Sequence, residues 1–241
     1  RDILKTAIQS LGLKDVADFV IEDRVLGLPK NIDESLVEMK LTDFIDEVSR
    51  ESPAPGGGSI AALAGALGAS LSSMVSNLTA NKRGSENVDG LLNDAAEKAQ
   101  VIKNILVKAI DDDTNAFNAY MDARRLPQSN EEEKEVREAE MLKGLKKAVT
   151  VPFATAQQSF QAVEIAEIVA KHGNPSSITD VGVGAQMAYT GVLGGIYNVL
   201  INLKDIKDDE YNSQMRKDCE ALKERALNKL NNVLTIVEQK L

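Results

Sequence analysis

The chain contains one cysteine, Cys219, and one histidine, His172. An internal disulfide is excluded, and a reducing compartment, the cytoplasm, is the simple expectation. A multi-histidine metal site and a cysteine-rich zinc site are excluded with it. A Ser–His–Asp triad would have to use His172, which stands just before Gly173 in a helix-end position, where a solvated histidine is the ordinary occupant. Acid–base chemistry therefore falls to carboxylates, lysine or tyrosine. Basic residues are in deficit, 28 Lys and Arg against 37 Asp and Glu, a net charge of −9. Phosphate contacts need a basic face, so no nucleic-acid partner is expected, although a local basic pocket for a small anion remains open. No run of about 18 apolar residues is free of breakers and charges, so no membrane span is expected. No basic-then-apolar segment opens the chain. It starts at Arg1 rather than Met, as a fragment of a longer protein does.

With 241 residues, 43% of them hydrophobic, there is enough chain for one sizeable domain and a small appendage. Residues 1–35 read as a linker or the end of another domain, and residues 36–241 as the helical domain. Thr42 to Glu51 is short and amphipathic. Ser52-Pro53-Ala54-Pro55-Gly56-Gly57-Gly58-Ser59 breaks the pattern. Further helices are predicted from Ile60 to about Asn81, and from Asn87 to about Leu126, where Pro127 closes the run. Asn130 and Glu133 resemble a capping box opening a helix toward Gly173, which Pro152 should kink or divide. The turn Asn174 to Ser177 precedes a helix through Lys204, with Ser177 or Thr179 as its cap. A last helix runs from about Asp208 to Lys240, with Cys219, Leu222, Ala226, Leu230 and Val233 near one face. No period-2 pattern of useful length occurs. Aromatic content of 4% suits Leu/Ala-rich packing, and short connections make successive helices antiparallel neighbours. The expected fold is an all-α, antiparallel up-and-down bundle, with at least a homodimer as its assembly.

Gly56, Gly57, Gly58 and Ser59 have two readings. They form either a flexible linker or a stiffened loop whose following helix start offers free N–H groups and a positive dipole end to an anion. No Gly-Lys-Ser/Thr follows, so the loop is not a nucleotide P-loop. The next helix is dense in Ala, Gly and Ser. Small side chains admit close approach by another helix, a second subunit or a flat ligand. In the longer helix, the apolar stripe through Val88, Ala95, Ala99, Ile102, Leu106, Ile110, Phe117 and Tyr120 has Asp113 within about 20° of its centre at 100° per residue. Asp111 and Asp112 fall far off it. A carboxylate on a buried stripe is either a satisfied core polar group or a proton-transfer group with a raised pKa. Asp111 would join it only by facing a second chain.

These residues resemble the cyclodeaminase/cyclohydrolase part of the formiminotransferase-cyclodeaminase family. The likeness rests on Ser52 to Ser59 with the small-residue helix, on Ser76-Asn77-Leu78-Thr79, and on Asp111-Asp112-Asp113-Thr114-Asn115-Ala116-Phe117. Leu126-Pro127, Val149-Thr150-Val151-Pro152, Gly173-Asn174 with Asp180, and Tyr197 to Asp205 complete it in order over residues 36–241. Ala7 to Leu13 resembles the closing segment of the formiminotransferase part, whose catalytic region is missing from this chain. The resemblance implies conversion of 5-formiminotetrahydrofolate to 5,10-methenyltetrahydrofolate and ammonia, with folate as substrate and no cofactor. It implies a catalytic aspartate, Asp113 or Asp111. It implies substrate contacts from Gly56 to Ser59, Asn77, Asn174, Asp180 and Asn198, and a polyglutamate tail held by Lys82, Arg83 or Lys204. For Lys82 and Arg83 a solvated helix end is the plain alternative. Two rivals stand beside this reading: a methenyltetrahydrofolate cyclohydrolase on the same fold, and a non-enzymatic helical oligomerisation module.

Overall fold

Glycine, alanine and serine dominate one segment, and three of the other long helices pack against it. In the computed structural model, which describes residues 35–241, the chain divides into two compact units, Arg1–Ala54 and Pro55–Leu241. The break falls at the Pro-Gly loop. The formiminotransferase-like stretch Ala7 to Leu13 lies outside the described residues. In the first unit, a 3-10 turn over Leu36–Glu38 precedes α1, Leu41–Val48. This helix stops short of the expected Glu51, and the Ser49 hydroxyl at its end donates to the Asp46 carbonyl at 2.7 Å. Arg50 then closes on Glu47 at 2.9 Å.

The second unit holds five long helices: α2 Gly57–Thr79, α3 Asp89–Arg124, α4 Glu131–His172, α5 Ile178–Asn202 and α6 Asp209–Lys240. Among the described residues there is no strand, as the patterning requires. Neighbours run antiparallel. Gly58 lies against Asp113 and Gly65 against Leu106, while Gly144 lies against Tyr120, Gly195 against Ala156 and Gly182 against Val237. α2 sits at the centre, touching α3, α4 and α5. At Gly68 a Cβ would come within 2.5 Å of the Gly184 carbonyl and 2.7 Å of the Ala188 nitrogen. Only glycine admits that helix separation. α2 is long and apolar enough to cross a membrane by length and composition alone, but 67% of its apolar window is buried in the fold. Its apolarity serves packing.

Asn130 caps α4 by accepting from the Glu133 N–H at 2.8 Å, and the Glu133 carboxylate reaches back one residue further than expected, to Ser129 N–H at 2.7 Å. Pro152 does not divide α4, which is continuous to His172. Lacking an N–H, Pro152 leaves the Ala148 carbonyl without a helical donor; the Asn202 amide of α5 donates to it instead, at 2.6 Å. Ser177 occupies the N-cap position of α5 without a side-chain capping bond. Asp208 caps α6 by accepting from Tyr211 N–H at 3.0 Å, and Cys219, Leu222, Ala226, Leu230 and Val233 are buried along it.

Candidate active site

Gly56, the N-cap of α2, has no side chain to cap with, so the N–H groups of the first turn lack a local acceptor. The acceptor comes from α3. The Asp113 carboxyl lies beside Ser59, whose backbone and side chain favour its charged form. Glycine at position 58 makes room for this carboxyl, since a Cβ there would overlap it and displace Asp113. Ser59 is fully buried; its hydroxyl donates to the Ile110 carbonyl at 2.8 Å and lies 3.3 Å from Thr114 Oγ1. α2 and α3 are thereby locked in register at the turn that carries Asp113.

Burial pushes the Asp113 carboxyl above its ordinary range, and the polar groups of Ser59 beside it draw it only part of the way back. A carboxyl so placed moves toward the range in which it can both take and give a proton. α5 brings the third component. Asn198 Nδ2 is 3.4 Å from where a Gly57 Cβ would stand, and it is fixed by donating to the Gly194 carbonyl at 2.8 Å. Gly57 is exposed and Gly56 half-buried, so the junction is open to solvent.

The expected residues divide between the two ends of α2. Gly56, Gly57, Gly58, Ser59, Asp113 and Asn198 meet at its N-terminus. Exposed Lys204 lies in a 3-10 turn, Leu203–Asp205, six residues beyond Asn198. Asn77, Lys82, Arg83, Asn174 and Asp180 belong to the far end, where the Asn174 N–H donates to Thr79 Oγ1 at 2.8 Å. The 23 residues of α2, about 34 Å of helix, separate the groups within one chain. Asp111 is half-buried. Asp112 lies off the apolar stripe yet is not on a solvated face: it lines a cleft of about 280 Å³ between α3 and α4, with Val151 and Thr155. Among the described residues, no three His, Cys, Asp or Glu side chains converge as metal ligands do. Asn202 was not legible as a functional neighbour. Its signal was Pro152, which demands a substitute donor from somewhere.

A helix start stripped of side chains, a carboxyl of raised pKa set against it and a fixed amide opposite make a candidate small-molecule site of the acid–base type on an all-helical bundle. The family described as formiminotransferase-cyclodeaminase matches residues 40–221. The formimidoyltransferase-cyclodeaminase of Gallus gallus is 35% identical over 98% of this chain, and that of Sus scrofa 34% over 98%. The chain spans 44% of the length of each. A methenyltetrahydrofolate cyclohydrolase of Methylorubrum extorquens is 38% identical over 74% of this chain and 86% of its own. The crystal structure of formiminotetrahydrofolate cyclodeaminase from Thermotoga maritima superposes with a TM-score of 0.77 at 26% identity, covering 85% of this chain and 98% of that one. The chain belongs to the formiminotransferase-cyclodeaminase family.

Proposed function

We propose that this chain is a formimidoyltetrahydrofolate cyclodeaminase, an ammonia lyase that converts 5-formiminotetrahydrofolate to 5,10-methenyltetrahydrofolate. The observation that carries the reading is the Asp113 carboxyl at the start of α2, raised in pKa by burial and facing Gly58. N10 of the folate attacks the amidine carbon on N5, and a five-membered ring closes. Asp113 takes the N10 proton and returns it to the amidine nitrogen, which leaves as ammonia. One carboxyl serves both steps because they follow one another and leave it in its starting state. Asn198 and the Gly56–Ser59 loop orient the ligand. Lys82, Arg83 or Lys204 meet the glutamate tail, with Asn77, Asn174 and Asp180 as further contacts. The reaction calls for neither metal nor redox cofactor. A cytoplasmic setting, a role in histidine degradation, a homo-oligomer of at least two chains and a linked formiminotransferase domain belong to the same proposal.

The likeness to a cyclohydrolase over most of that protein's length favours a second reading, in which water opens the methenyl ring. One assay separates them. Ammonia release from 5-formiminotetrahydrofolate supports the first. Hydrolysis of methenyltetrahydrofolate without ammonia release from the formimino substrate replaces it with the second. Inactivity on both leaves the helical oligomerisation module.

A further inference from the structure

Asn198 stands inside α5, where asparagine is a poor helix former. Its side chain turns back along its own helix, and Nδ2 donates to the Gly194 carbonyl at 2.8 Å. A carbonyl can only accept, so this bond fixes which end of the amide is which. The amino end is committed to the backbone, and Oδ1 is left as an acceptor. Among the described residues no donor meets Oδ1, although Asn198 is half-buried. A leucine would fill the same space with better helix propensity. Nδ2 is 3.4 Å from where a Gly57 Cβ would stand, and the Asp113 carboxyl occupies the corresponding place at Gly58. Successive Cα atoms are about 3.8 Å apart, so the amide and the carboxyl flank the same turn of α2. That turn offers donors, the free N–H groups of a helix start, and α2 carries no charged residue. A ligand nitrogen that bears hydrogens needs acceptors. Asp113 is one, and Asn198 Oδ1 is a second.

We propose that Asn198 is the specificity residue for the leaving nitrogen: Oδ1 accepts a hydrogen bond from an N–H of the formimino group and holds that nitrogen with its lone pair toward Asp113. The inference rests on the cyclodeaminase reading. An amidine is a cation at neutral pH, with two hydrogens on its terminal nitrogen. When N10 attacks, the bond from N10 to the amidine carbon forms and the terminal nitrogen becomes an amine with a lone pair. Asp113 takes the N10 proton and gives it to that lone pair. The bond from carbon to the terminal nitrogen breaks, ammonia leaves, and the single positive charge remains on the methenyl bridge. An amine free to rotate offers Asp113 an N–H as readily as its lone pair. One held through an N–H by Oδ1 offers the lone pair. The same hydrogen bond strengthens as the nitrogen takes the proton and gains positive charge, so it favours the departing state over the bound substrate. The product has a C–H at that carbon and no hydrogen on either nitrogen bonded to it, so it gives Oδ1 nothing to accept.

The test compares turnover of substrate with affinity for product in the same proteins. Asn198→Leu fills the space and removes the acceptor. Asn198→Asp keeps an acceptor there and removes the Nδ2 donor. Asn198→Leu is expected to lose about ten- to a hundredfold in kcat/KM for ammonia release from 5-formiminotetrahydrofolate, the usual worth of a hydrogen bond to a charged group. Its Kd for 5,10-methenyltetrahydrofolate, from absorbance titration, should stay within about twofold of wild type. Asn198→Asp should release ammonia several-fold faster than Asn198→Leu. An equal loss in both variants overturns the proposal, because the working atom would then be Nδ2. A product Kd weakened as much as kcat/KM also overturns it, because the contact would not be to the leaving nitrogen. Asn198→Ala, which cannot crowd Gly57, takes the place of Asn198→Leu if circular dichroism shows that the leucine disturbs the helices. A wild type that releases no ammonia removes the cyclodeaminase reading and this assignment with it. A wild type that does, beside an equally active Asn198→Leu, removes the assignment alone.

Discussion

The side-chain amide of Asn202 donates to the carbonyl of Ala148, 2.6 Å away, which is the acceptor that Pro152 leaves without its helical partner. α4 and α5 are joined by this bond at the level of the candidate site, four residues beyond Asn198. Replacing Asn202 by Ala leaves the half-buried carbonyl unpaired and is expected to cost about 1–2 kcal/mol. Pro152→Ala restores the missing N–H, so the double variant should be destabilised less than the sum of the two single changes. Urea denaturation of the four proteins measures the coupling. Simple additivity would mean that the bond contributes nothing.

Asp113→Asn is expected to reduce turnover by at least about two orders of magnitude, with a smaller change in substrate affinity, since the amide keeps the shape and loses the proton. Asp112→Asn should affect turnover little, as Asp112 faces the α3–α4 cleft. Steady-state kinetics of the two, with Asp111→Asn beside them, decide the assignment. Loss of activity at Asp111, with Asp113 affecting only stability, would move the catalytic role to Asp111.

The same substitution has a pH signature in stability. The folded pKa of Asp113 is raised, so its contribution to stability is full below the unfolded carboxylate value and is lost as pH rises through the folded value. At neutral pH the ionised group weighs against the fold. Asp113→Asn should therefore melt higher than wild type at pH 7, and the difference should vanish in acid, below the ordinary carboxylate range. Thermal melts across that range would refute the desolvation argument if the difference grew in acid.

Glu167 ties α4 to α6. Burial opposes its charge, but hydrogen bonds from Lys229 and Lys171 outweigh that and hold its pKa below the usual range. Its contribution is present above the unfolded value and is lost as pH falls through the lowered one. Both lysines are partly exposed, so screening discounts the pair. Glu167→Gln is expected to cost about 1–2 kcal/mol at neutral pH, less in high salt and less in acid, by denaturant titration at each condition.

Gly68→Ala gains about 1 kcal/mol of helix propensity and should still destabilise the protein. Its Cβ meets backbone, the Gly184 carbonyl and the Ala188 nitrogen, which cannot rotate away. Forcing two helices apart typically costs about 1–3 kcal/mol, enough for a net loss by calorimetry. Gly90→Ala, with nothing within 4 Å, is the stabilising control.

The helical architecture was legible because period and punctuation agree over long segments. Asp113 was legible for the same reason: a polar residue on the apolar stripe of α3 has to meet something. Asp112 was not, because the stripe records one neighbouring surface and α3 has two, α2 and α4. Nor was the bond from Asn202 to Ala148, which joins residues 54 positions apart and leaves no local pattern. The placement of Lys82 and Arg83 depends on the straightness of α2. Sequence order sets them just after the small-residue helix that the glycine loop opens, and a rigid rod puts them at its far end.

The uncharged surface of α2 also bears on how the protein is made. α2 ends at Thr79, and the helix that covers one of its flanks, α5, begins at Ile178 and ends at Asn202. At synthesis rates of 5–20 residues per second, the intervening stretch of about 120 residues takes on the order of 10 seconds. Through that interval the ribosome displays a nascent helix that meets the length and apolarity of a bilayer-spanning segment. α3 and α4, made within that interval, are the first partners able to cover it, so the order of synthesis matches the order in which the faces of α2 need cover.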